Sequence, residues 1–196
     1  MTQVERADAA RNRQAILDAA DELFASAETP ASVSMDDIAR AAGVGKGTLF
    51  RRFGDRSNLI RQVYASRISP VRAQIESGPR PLGPATPPLE RVAAIIDAIA
   101  LVKIDNVHLM TALEGGTAGT SASHFNSPDY NDVHLLLSNL INQHKTTPKA
   151  PWTAHVLLGT VRADFLRHLI EVEGMTGKQI RSQLRALVWN TVEASN

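Results

Sequence analysis

The sequence predicts an all-α protein: a three-helix N-terminal domain containing a helix-turn-helix, then a larger C-terminal helical domain. Three observations predict it. Apolar residues recur at helical spacing in segment after segment while strand-like alternation is scarce, cap residues and prolines punctuate those segments, and two short helical patterns between Ser34 and Leu59 meet at a glycine turn. The 196 residues suffice for a small domain joined to a larger one. The expected division is residues 1–54 for the helix-turn-helix domain and 55–196 for the second, with 55–77 as a linking helix.

The first helix is expected from about Arg11 to Ala27, with Ile16, Leu17, Ala20, Leu23, Phe24 and Ala27 on one face. An arm carrying Arg6, Arg11 and Arg13 precedes it, either lying on phosphates, entering a minor groove or staying solvated. Ser34 is placed to cap a second helix whose first turn holds Asp36 and Asp37, where carboxylates complement the partial positive charge of a helix start. Ile38, Ala39 and Ala42 give that helix an apolar face, and Gly43 to Gly45 make the turn. A third helix, Lys46 to Phe53, buries Leu49 and Phe53 at an i, i+4 spacing, leaving Lys46, Thr48, Phe50, Arg51 and Arg52 to a partner.

From Arg40 to Arg67 seven basic residues stand against one acid, Asp55, although the whole chain carries a net charge of only +1. Positive charge gathered around a helix-turn-helix is what a phosphate-binding face requires. The same glycines do not make a nucleotide loop: Arg40 stands where the P-loop needs its first glycine, and Gly47 where it needs a hydroxyl after Lys46.

Asp55 is expected to cap a fourth helix with Leu59, Ile60, Val63, Tyr64 and Ile68 on its apolar face, kinked or broken near Ser69 by Pro70. Five prolines between Ser77 and Pro88 make a loop. Leu89 to Asp105 is apolar nearly all round, the pattern of a central helix; Val107 to Leu113 follows, and the glycine-rich stretch from Gly115 to Ser121 reads as a lid or a connector. Ser127-Pro128 starts an amphipathic helix bearing Val133, Leu136, Leu137, Leu140, Ile141 and His144. Thr147 to Pro151 ends it. One long helix is expected from Trp152 to Glu173, and a Thr176–Gln179 capping box opens the last.

Several function classes lack their residues. There is no cysteine, hence no disulfide framework or thiolate metal site. No apolar run approaches the ~20 residues that span a bilayer, and MTQVERADAARNRQ has no signal-like apolar core, so a cytoplasmic location with no membrane partner is expected. The six histidines form no HExxH or His-x-x-x-His pair, and Ser121, Ser123, His124 and Asp129 have no GxSxG elbow, so no metal, cofactor or catalytic residue is expected.

The run Ile38-Ala39-x-x-Ala42-Gly43-Val44-x-x-Gly47-Thr48-Leu49-Phe50-x-x-Phe53, followed by Asp55-Arg56 and Leu59, resembles the tetracycline-repressor (TetR) family of bacterial transcription regulators. The resemblance covers the N-terminal third. It implies a DNA-binding face made of Ser34, Lys46, Gly47, Thr48, Phe50, Arg51, Arg52 and Arg56, with the Ser34 and Thr48 hydroxyls holding phosphate at two helix N-termini. That family often carries a tyrosine at the place of Phe50 and a serine at that of Gly45, so two hydroxyls are missing, and Arg52 and Arg56 are expected to replace that anchoring. Arg51 is the candidate for a guanine edge, or else for another phosphate.

For the rest of the chain the resemblance implies a homodimer paired through the last two helices, for which Leu158, Arg162, Phe165, Leu166, Leu169, Leu184, Leu187, Val188 and Thr191 are the candidates. It also implies a mostly apolar effector pocket, assigned to Ile99, Val102, His108, Met110, Glu114, Phe125, Tyr130, His134, Leu137 and Phe165. The expected protein is a ligand-responsive repressor that holds a palindromic double-stranded DNA operator as a homodimer and is released by a small-molecule effector. The alternative is a helical ligand- or partner-binding protein of the same fold that does not bind an operator.

Overall fold

A computed structural model describes residues 3–27, 29, 32–107, 109 and 127–194. Among these the regular elements are nine α-helices: α1 (Gln3–Ser26), α2 (Met35–Ala41), α3 (Lys46–Phe53), α4 (Arg56–Ser77), α5 (Pro88–Asp105), α6 (Pro128–His144), α7 (Ala150–Thr160), α8 (Ala163–Glu171) and α9 (Gly177–Glu193). No helix among the described residues is long and apolar enough to cross a membrane.

Among the described residues, 3–67 and Leu109 fall in one compact unit and 68–107 and 127–194 in another, so α4 is divided between Arg67 and Ile68, whereas the sequence places the boundary before α4. In the first unit α2 packs on α1 and α3 on α2. Ile16, Leu17, Ala20 and Phe24 from α1, Ile38 and Ala39 from α2, Leu49 and Phe53 from α3, and Leu59, Ile60 and Val63 from α4 are the buried apolar residues of this unit. The second unit is built on α5, against which α6, α8 and α9 pack, with α7 lying on α6 and α9. Its core runs from Leu82 and Leu89 through Val92, Ile95 and Ile96 to Leu137, Ile141, Leu157, Leu166, Ile180 and Val192. The near-uniform apolarity of α5 is therefore used on several sides.

Four expectations are corrected. Helix α1 begins at Gln3, so the arm is helical: Arg11 pairs with Asp8 one turn away, and Arg13 donates to Gln62 Oε1 at 2.9 Å. Of the kink or break expected at Pro70, the break does not occur: α4 continues to Ser77, one missing N–H being tolerated where Ile68, Val71 and Ile75 keep the flanking turns packed. The expected helix from Trp152 to Glu173 is two helices. Gly159, Thr160 and Val161 are poor helix formers, the Thr160 hydroxyl turns back to Leu157 O at 2.6 Å, and Arg162 is extended with its guanidinium on the Asp164 carboxylate. The break expected at Thr147 to Pro151 is shorter, since Ala150 and Pro151 already form the first turn of α7.

Second-unit elements are joined by ion pairs. The Arg181 guanidinium grips both oxygens of Asp97 at 2.8 and 2.5 Å, tying α9 to α5 and raising the arginine's pKa chiefly through that hydrogen bond. Arg91 closes the proline-rich loop by donating to Leu82 O and Ile75 O.

Candidate nucleic-acid interface

The geometry of α2 and α3 begins with a cap. The Ser34 side chain accepts from Asp37 N at 3.1 Å, the Asp37 carboxylate accepts from Ser34 N at 3.2 Å, and the Ser34 hydroxyl donates to the same carboxylate at 2.5 Å. These bonds, Ser34's hydroxyl first, hold Asp37 below the usual carboxylate range. The capping box fixes where α2 starts, and Gly43, at φ +64, turns the chain through a conformation that L side chains rarely adopt. Leu49 and Phe53 then pin α3 to the core by one face. Asp55 caps α4 through Asn58 N at 2.7 Å, while Asn58 Nδ2 donates to Phe53 O, fixing the exit from α3.

The cations on this frame do different things, which the sequence did not distinguish. The Arg52 guanidinium donates to the Ala9 carbonyl, bolting α3 to α1. Arg56 Nε donates to Val33 O at 3.1 Å and its guanidinium lies 5.5 Å from the Phe24 ring centroid. Arg52 and Arg56, expected to replace missing phosphate anchors, are both half-buried and already donate to backbone carbonyls, bonds that a phosphate must compete with. Arg67 pairs with Asp21 and Arg40 with Asp37. Lys46 Nζ sits 2.8 Å from Asp36 Oδ1 and 5.8 Å from the Phe50 ring centroid. The Ser34 hydroxyl proton is likewise committed to Asp37.

Arg51 differs. It is exposed on α3, opposite Leu49 and Phe53, with no bonding partner among the described residues. Beside it Gly45 and Gly47 are exposed, Gly45 has an ordinary φ of −69, and a Cβ at either would meet nothing within 4 Å. Neither the backbone nor the packing of this protein asks for glycine there. Thr48 is half-buried and Phe50 partly exposed on the same helix.

The candidates in the second unit scatter. Ile99 and Leu137 are buried, Val102, Tyr130 and His134 half-buried, and Phe165 is 44% exposed. His108, Met110, Glu114 and Phe125 lie outside the described residues. Tyr130 and His134 do come together, with a third residue that sequence reading did not select, His155 of α7. The two imidazoles stack with centroids 3.8 Å apart, the Tyr130 hydroxyl lies 2.6 Å from His155 Nδ1, and His134 Nε2 donates to Pro151 O at 3.0 Å. Burial, and then the neighbouring His134, hold the His155 pKa down, while burial pushes that of Tyr130 up. Of the dimer candidates, Leu158, Leu166, Leu184 and Val188 belong to the chain's own core. Arg162, Leu169 and Thr191 are half-buried; Phe165 and Leu187 are exposed, as are Trp152 and Trp189.

Comparison with known proteins places this geometry. Residues 16–63 match the bacterial regulatory proteins of the tetR family. An HTH-type transcriptional regulator of Staphylococcus aureus is 25% identical over 183 residues, spanning 92% of this chain and 93% of the relative. Among solved structures, a transcriptional regulator of Rhodococcus sp. superposes with a TM-score of 0.70 at 16% identity, covering 93% of this chain and 97% of that one. The Thermus thermophilus TetR-family repressor FadR, solved with lauroyl-CoA, gives 0.66 at 16% identity over 91% and 94% of the two chains. At such identities the structural likeness is one of fold.

Proposed function

As the chain belongs to the tetR family of bacterial regulatory proteins, we propose that it is a cytoplasmic, homodimeric repressor that reads a palindromic operator with α3 and is released by a small apolar effector. The observation that carries the reading is Arg51: an exposed guanidinium with no partner among the described residues, on a short helix pinned by Leu49 and Phe53, beside two glycines whose space the fold leaves open. Such a fork is free to span the two acceptors of a guanine, and the bare glycines let a sugar-phosphate backbone approach α3 closely.

The proposed operator calls for a homodimer, because two half-sites one helical turn apart are read by two copies of α3. Its contacts are assigned to outward residues of the last helices, Phe165 and Leu187 with Trp189, rather than to the core leucines. The effector is assigned to the second unit, where α5 and α6 pack and Ile99, Val102, Tyr130, His134 and Leu137 supply apolar and orienting groups. FadR was solved with a long-chain acyl thioester, which makes lauroyl-CoA the first probe. Release follows if the effector binds better to a form whose two reading heads no longer fit successive major grooves.

Selection of bound fragments from bacterial genomic DNA, followed by anisotropy and sedimentation, tests the reading. A recovered near-palindrome bound by a dimer, with affinity lowered by a ligand that also raises the melting temperature, is the expected result. A chain that enriches no fragment is the helical binding protein without an operator, and a ligand that stabilises it without shifting operator affinity removes the release step.

A further inference from the structure

We propose that Asp36 sets the strength with which the DNA-reading face holds any duplex: its carboxylate competes with DNA phosphate for the Lys46 ammonium and so lowers affinity for all sequences alike. The inference rests on the operator-binding reading above.

The two residues stand ten positions apart on either side of the glycine turn, Asp36 in the first turn of α2 and Lys46 at the first position of α3. Nζ lies 2.8 Å from one carboxylate oxygen and 2.9 Å from the other, and 5.8 Å from the Phe50 ring, so carboxylate and ring hold the ammonium together. Both side chains are more than half exposed, at 62% for Lys46 and 52% for Asp36, which leaves the pair open to a competing anion. Asp36 is not needed for the cap. Ser34 and Asp37 complete the capping box between themselves, and Asp37 keeps a negative charge in the first turn when Asp36 is neutralised.

A carboxylate at this place acts on every duplex. When a phosphate takes the Lys46 ammonium, Asp36 loses its partner while facing a polyanion, and that opposition is the same whatever the base sequence. Arg51 is unencumbered, and its contact with a base edge is available only on the right sequence. The clasp therefore lowers affinity for all DNA by the same factor, while discrimination between sequences, a difference of binding free energies, stays with the base contact. It also explains an acid inside a region where the fold otherwise gathers cations: Asp37 serves the cap, Asp55 the start of α4, and Asp36 the ammonium.

The test titrates the full chain, Asp36→Asn, Lys46→Gln and the double variant against two fluorescent duplexes of equal length, a selected genomic fragment and a mixed-sequence control, over a KCl series. Asp36→Asn is expected to bind the control and the selected fragment alike about 1.5- to 5-fold tighter, the size of an exposed ion pair, and to leave the ratio of selected to control affinity unchanged. Its log–log salt slope is expected to steepen by about 0.9, one phosphate contact. In the Lys46→Gln background the same substitution is expected to do much less. An unchanged slope overturns the proposal, as does an equal effect with and without Lys46, which is plain repulsion. Weakened binding to the selected fragment alone also overturns it and makes Asp36 a base reader. Asp36→Ser, with melting curves for all variants, separates these results from misfolding. If the unmodified chain prefers no fragment, the operator reading itself fails; if it does and Asp36→Asn behaves identically, only the clasp fails.

Discussion

The two units use their charged residues differently. In the first, arginines are structural parts: Arg52 and Arg56 close backbone carbonyls, Arg67 and Arg13 tie α4 to α1, and a small apolar core sits beneath them. In the second, a long apolar core carries the packing, and ion pairs such as Arg181 with Asp97 lie at its edge. A small domain exposes a larger fraction of its surface, so it gains proportionally less from burial and relies more on such directed bonds. The lesson for the DNA-reading face is that a count of cations overstates what is available to DNA. Of Lys46, Arg51, Arg52 and Arg56, three already have partners.

The largest expected effect breaks the comparison at the smaller core. Phe53 is 1% exposed, and Phe53→Ala should cost about 3–5 kcal/mol, a large part of what a small domain has. DNA binding should vanish while most far-UV helical signal persists to the parent melting temperature. A single transition that moves as a whole would show that the units do not melt separately.

Next come two arginines five residues apart. Arg51→Ala should weaken binding to a selected fragment by about 1–3 kcal/mol with little change in stability, whereas Arg56→Ala should destabilise the fold by about 1.5–3 kcal/mol, the range for hydrogen bonds to charged groups. Anisotropy and urea unfolding on the same samples measure both. If Arg56→Ala leaves stability intact and flattens the salt slope, Arg56 is a phosphate contact after all.

A smaller effect comes from Gly47. As an exposed helical position with room for a methyl group, Gly47→Ala should raise stability by up to about 1 kcal/mol and still weaken DNA binding, because the methyl enters the space left for the backbone of the duplex. Tighter or unchanged binding would remove that reason for the glycine.

The smallest belongs to the second unit. A histidine whose folded pKa is depressed binds fewer protons folded than unfolded, so its contribution is whole above the unfolded value of about 6.5 and is lost as pH falls from there towards the folded value. Protonation of His155 also sets charge against the stacked His134. Thermal stability should therefore decline below about pH 6.5, and His155→Gln should flatten that decline. A parent curve that is flat over this range would show that the stack adapts without cost.

How much was legible from sequence differs in the same way between the two units. The helix-turn-helix was readable almost to the residue because its signals are local: Ser34 caps by a bond to Asp37 three residues on, Gly43 turns by its own φ, and Leu49 and Phe53 fall on one face by spacing alone. Ser127 and Thr176 mark the starts of α6 and α9 for the same reason. The capping box at Ser34 was written in the sequence too, in Ser-x-x-Asp, although Asp37 was read there for its charge and not as the serine's partner.

What the tertiary structure decided lies across long stretches of chain. Arg52 reaches Ala9, Arg56 reaches Val33, Lys46 meets Asp36 over the turn, and His155 stacks on His134. It also sent Leu158, Leu166, Leu184 and Val188 into the chain's own core while leaving Phe165 and Leu187 outside. An apolar stripe states that a face will be covered and says nothing of what covers it. The sequence by itself therefore determined the class and the starts of α2, α3, α4, α6 and α9, since caps, glycine turns and amphipathic spacing act within a few residues. Which cations remain free, and which apolar residues remain exposed, depended on packing that only the folded chain specifies, because a charge or a hydrophobic face is spent on whichever partner the fold brings within reach.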